Sequence, residues 1–140
     1  MATIFSRIIA GDLPGHFVWR DDRAVAFMSI APLQPGHTLV VPIEEVDHWL
    51  DLDPELAEHL MRVSQTIGKA IQGAFDPVKV GMMLAGLEVP HTHIHLVPIR
   101  GLHDMDFARA NTDAGSDEIA AAADEIRAHL RDSGAAGVTD

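Results

Sequence analysis

At 140 residues, 47% of them apolar, the chain is long enough to bury one hydrophobic core without disulfide staples, which excludes a wholly disordered protein. Its 10 basic and 21 acidic residues give a net charge of −11 with no Lys or Arg cluster, so a groove for long nucleic acid is excluded. Cysteine is absent, which rules out disulfides and thiolate metal sites. No leader-like start and no apolar run near the ~20 residues of a membrane span is present, so a cytoplasmic protein with no membrane partner is expected.

Ile4, Phe5, Ile8 and Ile9 recur at helical spacing and stop at Gly11, predicting a short N-terminal helix. Two strands, Phe17 to Arg20 and Ala24 to Met28, flank the polar turn at Asp21 and Asp22. The Pro/Gly loop APLQPG then delivers His37 to a third strand, Thr38 to Val41, closed by Pro42. Asp53-Pro54 reads as an N-cap with proline in the first helical position. Leu56, Leu60, Val63, Ile67, Ile71 and Phe75 continue from it as one apolar stripe, and Asp76-Pro77 ends the helix. Val80 to Ala85 predicts a buried strand. The histidine segment that follows is expected antiparallel to it, because the connector is too short for a parallel crossover. After a loop, a last helix is expected from about Asp117 to Arg131. The order of elements predicts a single α+β domain over 1–140, with its core at about 4–100 and a C-terminal loop and helix at about 101–133. The tail, 134–140, holds no large apolar side chain and is expected to lack order.

The segment His91-Thr92-His93-Ile94-His95-Leu96-Val97 carries three of the nine histidines at every second position. In a strand that spacing puts all three on one face, with Thr92, Ile94 and Leu96 on the other. Buried on that face, they need partners for every ring nitrogen, a demand that apolar residues avoid. Two chemistries suit such a row: a three-histidine metal hydrolase, or phosphate chemistry in which one imidazole is the nucleophile and the others orient it and donate to the phosphate. With an ordinary pKa near 6.5, one ring can be neutral and nucleophilic while a neighbour is protonated and donating. The spacing alone leaves both open.

Taken with the opening IFSRIIAGDLPGHFVWRDDRAVAFMSIAPLQPGHTLVVP, the His-x-His-x-His segment resembles the histidine triad (HIT) family of nucleotide hydrolases and transferases, from about Ile4 to Ile99. The resemblance implies a five-stranded, mostly antiparallel sheet with a long central helix, short N- and C-terminal helices, and a homodimer. It also implies a metal-independent phosphoramidase or hydrolase with no cofactor, whose small-molecule nucleotide substrate is a phosphoramidate, acyl or dinucleotide derivative. By position His93 attacks the α-phosphorus to give a nucleotidyl-histidine, His95 contacts the phosphate, and His91 and His37 orient the nucleophile. The pocket for base and ribose maps to Ile4, Phe5, Ile8, Phe27, Ser29 and Ile30, with Glu88 near the phosphate.

Several positions depart from the family's usual pattern. Ser29 stands where an aspartate commonly holds the ribose, Gly86-Leu87-Glu88 where Gly-Gln and then a serine or threonine are usual, and Val80 where asparagine is usual. The structural zinc site that some members build from cysteines has no ligands here. These departures read first as a preserved covalent mechanism whose substrate preference the sequence does not fix, and only second as a nucleotide-binding module with weak catalysis. His16, His48, His59, His103 and His129 read as surface residues, Trp19 and Trp49 as core or dimer-surface anchors, and the acidic pairs Glu44-Glu45 and Asp124-Glu125 as solvated.

Overall fold

The computed structural model describes residues 2–140. One wholly antiparallel sheet has the order β1-β2-β3-β5-β4, made of β1 (Phe17–Arg20), β2 (Ala24–Met28), β3 (Thr38–Pro42), β4 (Lys79–Met83) and β5 (Ile94–Ile99). Three helices accompany it: α1 (Ile4–Ile9), α2 (Pro54–Phe75) and α3 (Ser116–Asp132). The α+β class and the five strands match the expectation. The C-terminal helix is longer than expected, at 17 residues.

At β2 and β3 both faces of the sheet are covered, which is why these strands read as nearly unbroken apolar runs. On one face Val18, Ala26, Met28, Val40, Ile94 and Leu96 pack under α2 and α3, against Leu56, Leu60, Ile67, Ile71, Ile126 and Leu130. Each such large side chain contributes about 1.5–3 kcal/mol on burial. The other face carries Val25, Phe27, Leu39 and Val41, and only Phe5 and Ile8 of the six-residue α1 bury against them. A helix that short covers part of a sheet face. The remainder is open.

The stripe from Leu56 to Ile71 is buried as its 3.6-residue period requires, with Phe75 packed at its margin. Asp53 does precede Pro54, but its side chain makes no cap hydrogen bond; the carboxylate lies 3.8 Å from the Arg23 guanidinium. Asp76 ends α2 in the left-handed region, at φ 47°, ahead of Pro77.

Three expectations are corrected. The strand predicted from Val80 to Ala85 runs from Lys79 to Met83 and is half-exposed rather than buried, because it lies at the sheet edge with one neighbour. Strand β5 begins at Ile94, so His91 and His93 precede it: the Thr92 N–H donates to the Val46 carbonyl and the His91 ring takes the Pro42 carbonyl, where a ladder N–H would otherwise bond. The tail is ordered on β1. Val138 bridges Trp19, the Thr139 N–H donates to the Val18 carbonyl, and the Thr139 hydroxyl donates to the Phe17 carbonyl. Ala135 and Val138 pack at the margin of the core, and Gly137 lies against the Trp19 ring, so small apolar side chains and backbone bonds together hold the tail. Among the described residues no helix is long and apolar enough to cross a membrane.

Candidate active site

Register brings the distant histidines together. Leu39 of β3 pairs with His95 of β5, so His95 points to the face that α1 leaves partly open, and His37, just ahead of β3, comes alongside it. Gly36 makes the approach: its φ is +100°, and a Cβ there would sit 2.7 Å from the Phe75 ring. His37 is buried. Its Nδ1 accepts the Leu33 N–H at 3.0 Å, so its proton resides on Nε2, which donates to His95 Nδ1 at 2.9 Å. The proton of His95 therefore sits on Nε2, free to donate toward the cleft. Burial, reinforced by the neighbouring rings, pushes the pKa of His37 down to about 3 and that of His95 down to about 4. Both are neutral at pH 7, so the expected protonated neighbour is replaced by neutral rings donating N–H.

His93 has the opposite tautomer. Its Nδ1 donates to the main-chain carbonyl of His91 at 2.7 Å, which leaves the Nε2 lone pair without a partner among the described residues. The ring meets Phe5 edge-on at 4.8 Å and His95 at 4.9 Å, and His95 in turn meets Phe107 at 4.9 Å.

His91 is anchored at both nitrogens. Nε2 donates to the Pro42 carbonyl at 2.8 Å, and Nδ1 accepts the Thr3 hydroxyl at 2.8 Å. Thr3 also caps α1, accepting the Ser6 N–H at 3.1 Å, and its own N–H donates to Glu45 at 2.9 Å. The Ser6 hydroxyl donates to the same Glu45 oxygen at 2.6 Å. The bonds from Ser6 and Thr3 hold the Glu45 carboxyl below its ordinary range, so Glu45 is not the merely solvated residue expected. Burial lowers His91, against the opposing pull of the Pro42 carbonyl and Glu45. His91 thus bonds His93 through its main-chain carbonyl, whereas the ring of His37 bonds His95 and not His93.

A cleft of about 390 Å³, within the range of small-molecule sites, opens above these rings. Its wall includes Ile4, Phe5, Ile8, Phe27, Ser29, Ile30 and Glu88, together with His37, His93 and His95. His91 lies beneath it, fully buried. The Ser29 hydroxyl accepts the Ala31 N–H at 3.3 Å. A side recess of about 140 Å³ runs from His93 and His95 between Phe107 and the connector Ala85 to Glu88. Thr3, Ser6, Glu45 and Phe107 went unrecognised as site residues. Thr3 alone left a local signal, as a cap residue ahead of the N-terminal apolar stripe.

None of His16, His48, His59, His103 and His129 lines this cleft. His59 pairs with Asp21 at 2.7 Å, where Trp19 Nε1 also donates, and Asp124 pairs with Arg127. Trp49 is half-exposed.

These features converge on a family. The HIT domain pattern matches residues 10–102. The chain belongs to the HIT family. An uncharacterized HIT-like protein of Borreliella burgdorferi is 35% identical over 115 residues, covering 77% of this chain and 83% of that one. The crystal structure of a HIT-like protein involved in cell-cycle regulation from Bartonella henselae is 30% identical, with a TM-score of 0.80 over 91% of this chain and 96% of that one. A zinc-bound histidine triad family protein from Mycobacterium smegmatis is 25% identical, with a TM-score of 0.82 over 97% and 98%. HIT membership supports nucleotide binding and hydrolase or transferase chemistry at the level of the family.

Both ring nitrogens of His91 are already bonded, and among the described residues no three His, Cys, Asp or Glu side chains form a group that could hold an ion.

Proposed function

We propose that the protein is a metal-independent nucleotide hydrolase or nucleotidyl transferase acting on a nucleoside monophosphate joined to an amine, acyl or nucleotide leaving group. The observation that carries this reading is the bond from His93 Nδ1 to the His91 carbonyl, which leaves the Nε2 lone pair of a cleft-lining imidazole available as a nucleophile.

Nε2 of His93 forms a bond to the α-phosphorus as the bond to the leaving group breaks. The leaving group departs with the electron pair and takes a proton from solvent through the open recess. The nucleotidyl-histidine is an imidazolium, and its Nδ1–H continues to donate to the His91 carbonyl, so the developing charge is stabilised without movement. His95 Nε2–H donates to a phosphoryl oxygen, held in that tautomer by His37. Water then adds to phosphorus, releases the nucleoside monophosphate and returns the electron pair to His93. The base and ribose lie against Ile4, Phe5, Ile8, Phe27 and Ile30, with Ser29 within reach of the ribose hydroxyls.

A homodimer in the cytoplasm completes the reading. Exposed Val78 and Met82, beside and on the edge strand β4, support a second copy there.

The test is release of AMP from an adenosine phosphoramidate in excess chelator. His93→Ala is expected to lose about 10³-fold or more in kcat with its circular dichroism unchanged. Undiminished turnover in that variant, or loss of native activity to chelator, overturns the proposal.

A further inference from the structure

The charges around the cleft select among leaving groups. Glu88 is the one charged side chain lining the cleft among the described residues, and it is again the one charged side chain lining the recess. No Lys or Arg lines either space, and two of the three cleft histidines are held neutral by burial. Among the described residues no ion pair involves Glu88. The whole chain adds a field of net charge −11.

The position of Glu88 matters as much as its sign. It stands two residues beyond Gly86, on the connector between β4 and His91, where the cleft meets the recess that also contains His93 and His95. With the nucleoside in the larger space, the group leaving phosphorus enters the recess and passes the carboxylate. A polyphosphate leaving group would bring further negative charge against Glu88 with no cation to offset it. An ammonium there would face a carboxylate with no ion-pair partner among the described residues.

We infer that this site takes nucleoside monophosphates whose leaving group carries a positive charge, as in a phosphoramidate of a diamine or of a basic amino acid, and that Glu88 discriminates against polyphosphate leaving groups. The inference rests on the reaction proposed above. Selection works on both sides: one carboxylate attracts the cation and repels the polyanion.

The experiment compares kcat/KM for three substrates in the full-length protein and in Glu88→Gln: AMP joined to one end of 1,5-diaminopentane, AMP joined to 5-aminopentanol through nitrogen, and diadenosine triphosphate. For a solvent-accessible carboxylate, the native ratio of diamine to aminopentanol substrate is expected at about three- to fivefold, collapsing to about one in the variant. The ratio of diadenosine triphosphate to aminopentanol substrate is expected to rise by a similar factor in the variant. General damage to the site cannot move the two ratios in opposite directions. Equal ratios in both proteins overturn the role of Glu88 and leave the reaction standing. No turnover of any of the three by the native protein overturns the reaction, and this inference with it.

Discussion

Thr3 donates its hydroxyl proton to His91 while accepting the Ser6 N–H, so one side chain both caps α1 and holds the residue whose carbonyl supports His93. Glu45 fixes Thr3 from the other side. Removing the hydroxyl by Thr3→Val leaves the buried His91 Nδ1 only the longer contact with the Ser6 hydroxyl, at 3.4 Å, and lets the His91 carbonyl drift from His93. The loss of one such hydrogen bond, about 0.5–1.5 kcal/mol, predicts a fall in kcat of about two- to tenfold with little change in KM. Thr3→Ser, which keeps the oxygen, is expected to restore kcat. Separate kcat and KM values decide it: a lowered Tm with unchanged kcat would show that Thr3 is a helix cap only. The triad itself was legible in the sequence because its spacing is local. The Thr3, Glu45 and His91 support was not, since Thr3 lies 42 residues from Glu45 and 88 from His91.

Elements were legible wherever one period dominates. Helix α2 follows from its apolar stripe, and β2 and β3 from runs too short and apolar to be anything but strands buried on both faces. Boundaries failed where a side chain substitutes for backbone: the His91 ring takes the carbonyl of Pro42, so the ladder starts only at Ile94. The edge position of β4 and the docking of the tail were hidden too, because strand order is a property of pairing rather than of composition. The loop before β3 is the element most constrained by its contacts. Gly36 needs a positive φ and space against Phe75, so Gly36→Ala is expected to destabilise the protein by about 1–3 kcal/mol and to displace His37 from His95. Thermal melts and turnover measured together check this, and a variant with native Tm and native kcat would contradict it.

At the scale of the whole molecule, function follows from unequal coverage of one sheet. Two long helices, α2 and α3, seal one face, whereas the six-residue α1 seals part of the other, and the uncovered part holds the histidines. Antiparallel pairing of β3 with β5 then joins His37 to His95 across 58 residues of sequence. The family resemblance implied that frame, but the division of labour within it came from the tautomers: His93 donates from Nδ1 and is free at Nε2, whereas His95 accepts at Nδ1 and donates from Nε2. The central claim is that His93 forms a covalent bond to phosphorus. Its most direct test is the stereochemical course at phosphorus, using an adenosine phosphorothioamidate of known configuration hydrolysed in ¹⁸O-labelled water. Two successive in-line displacements, the first by His93 and the second by water, predict net retention. Inversion would mean that water attacks phosphorus directly, and would contradict the nucleotidyl-histidine.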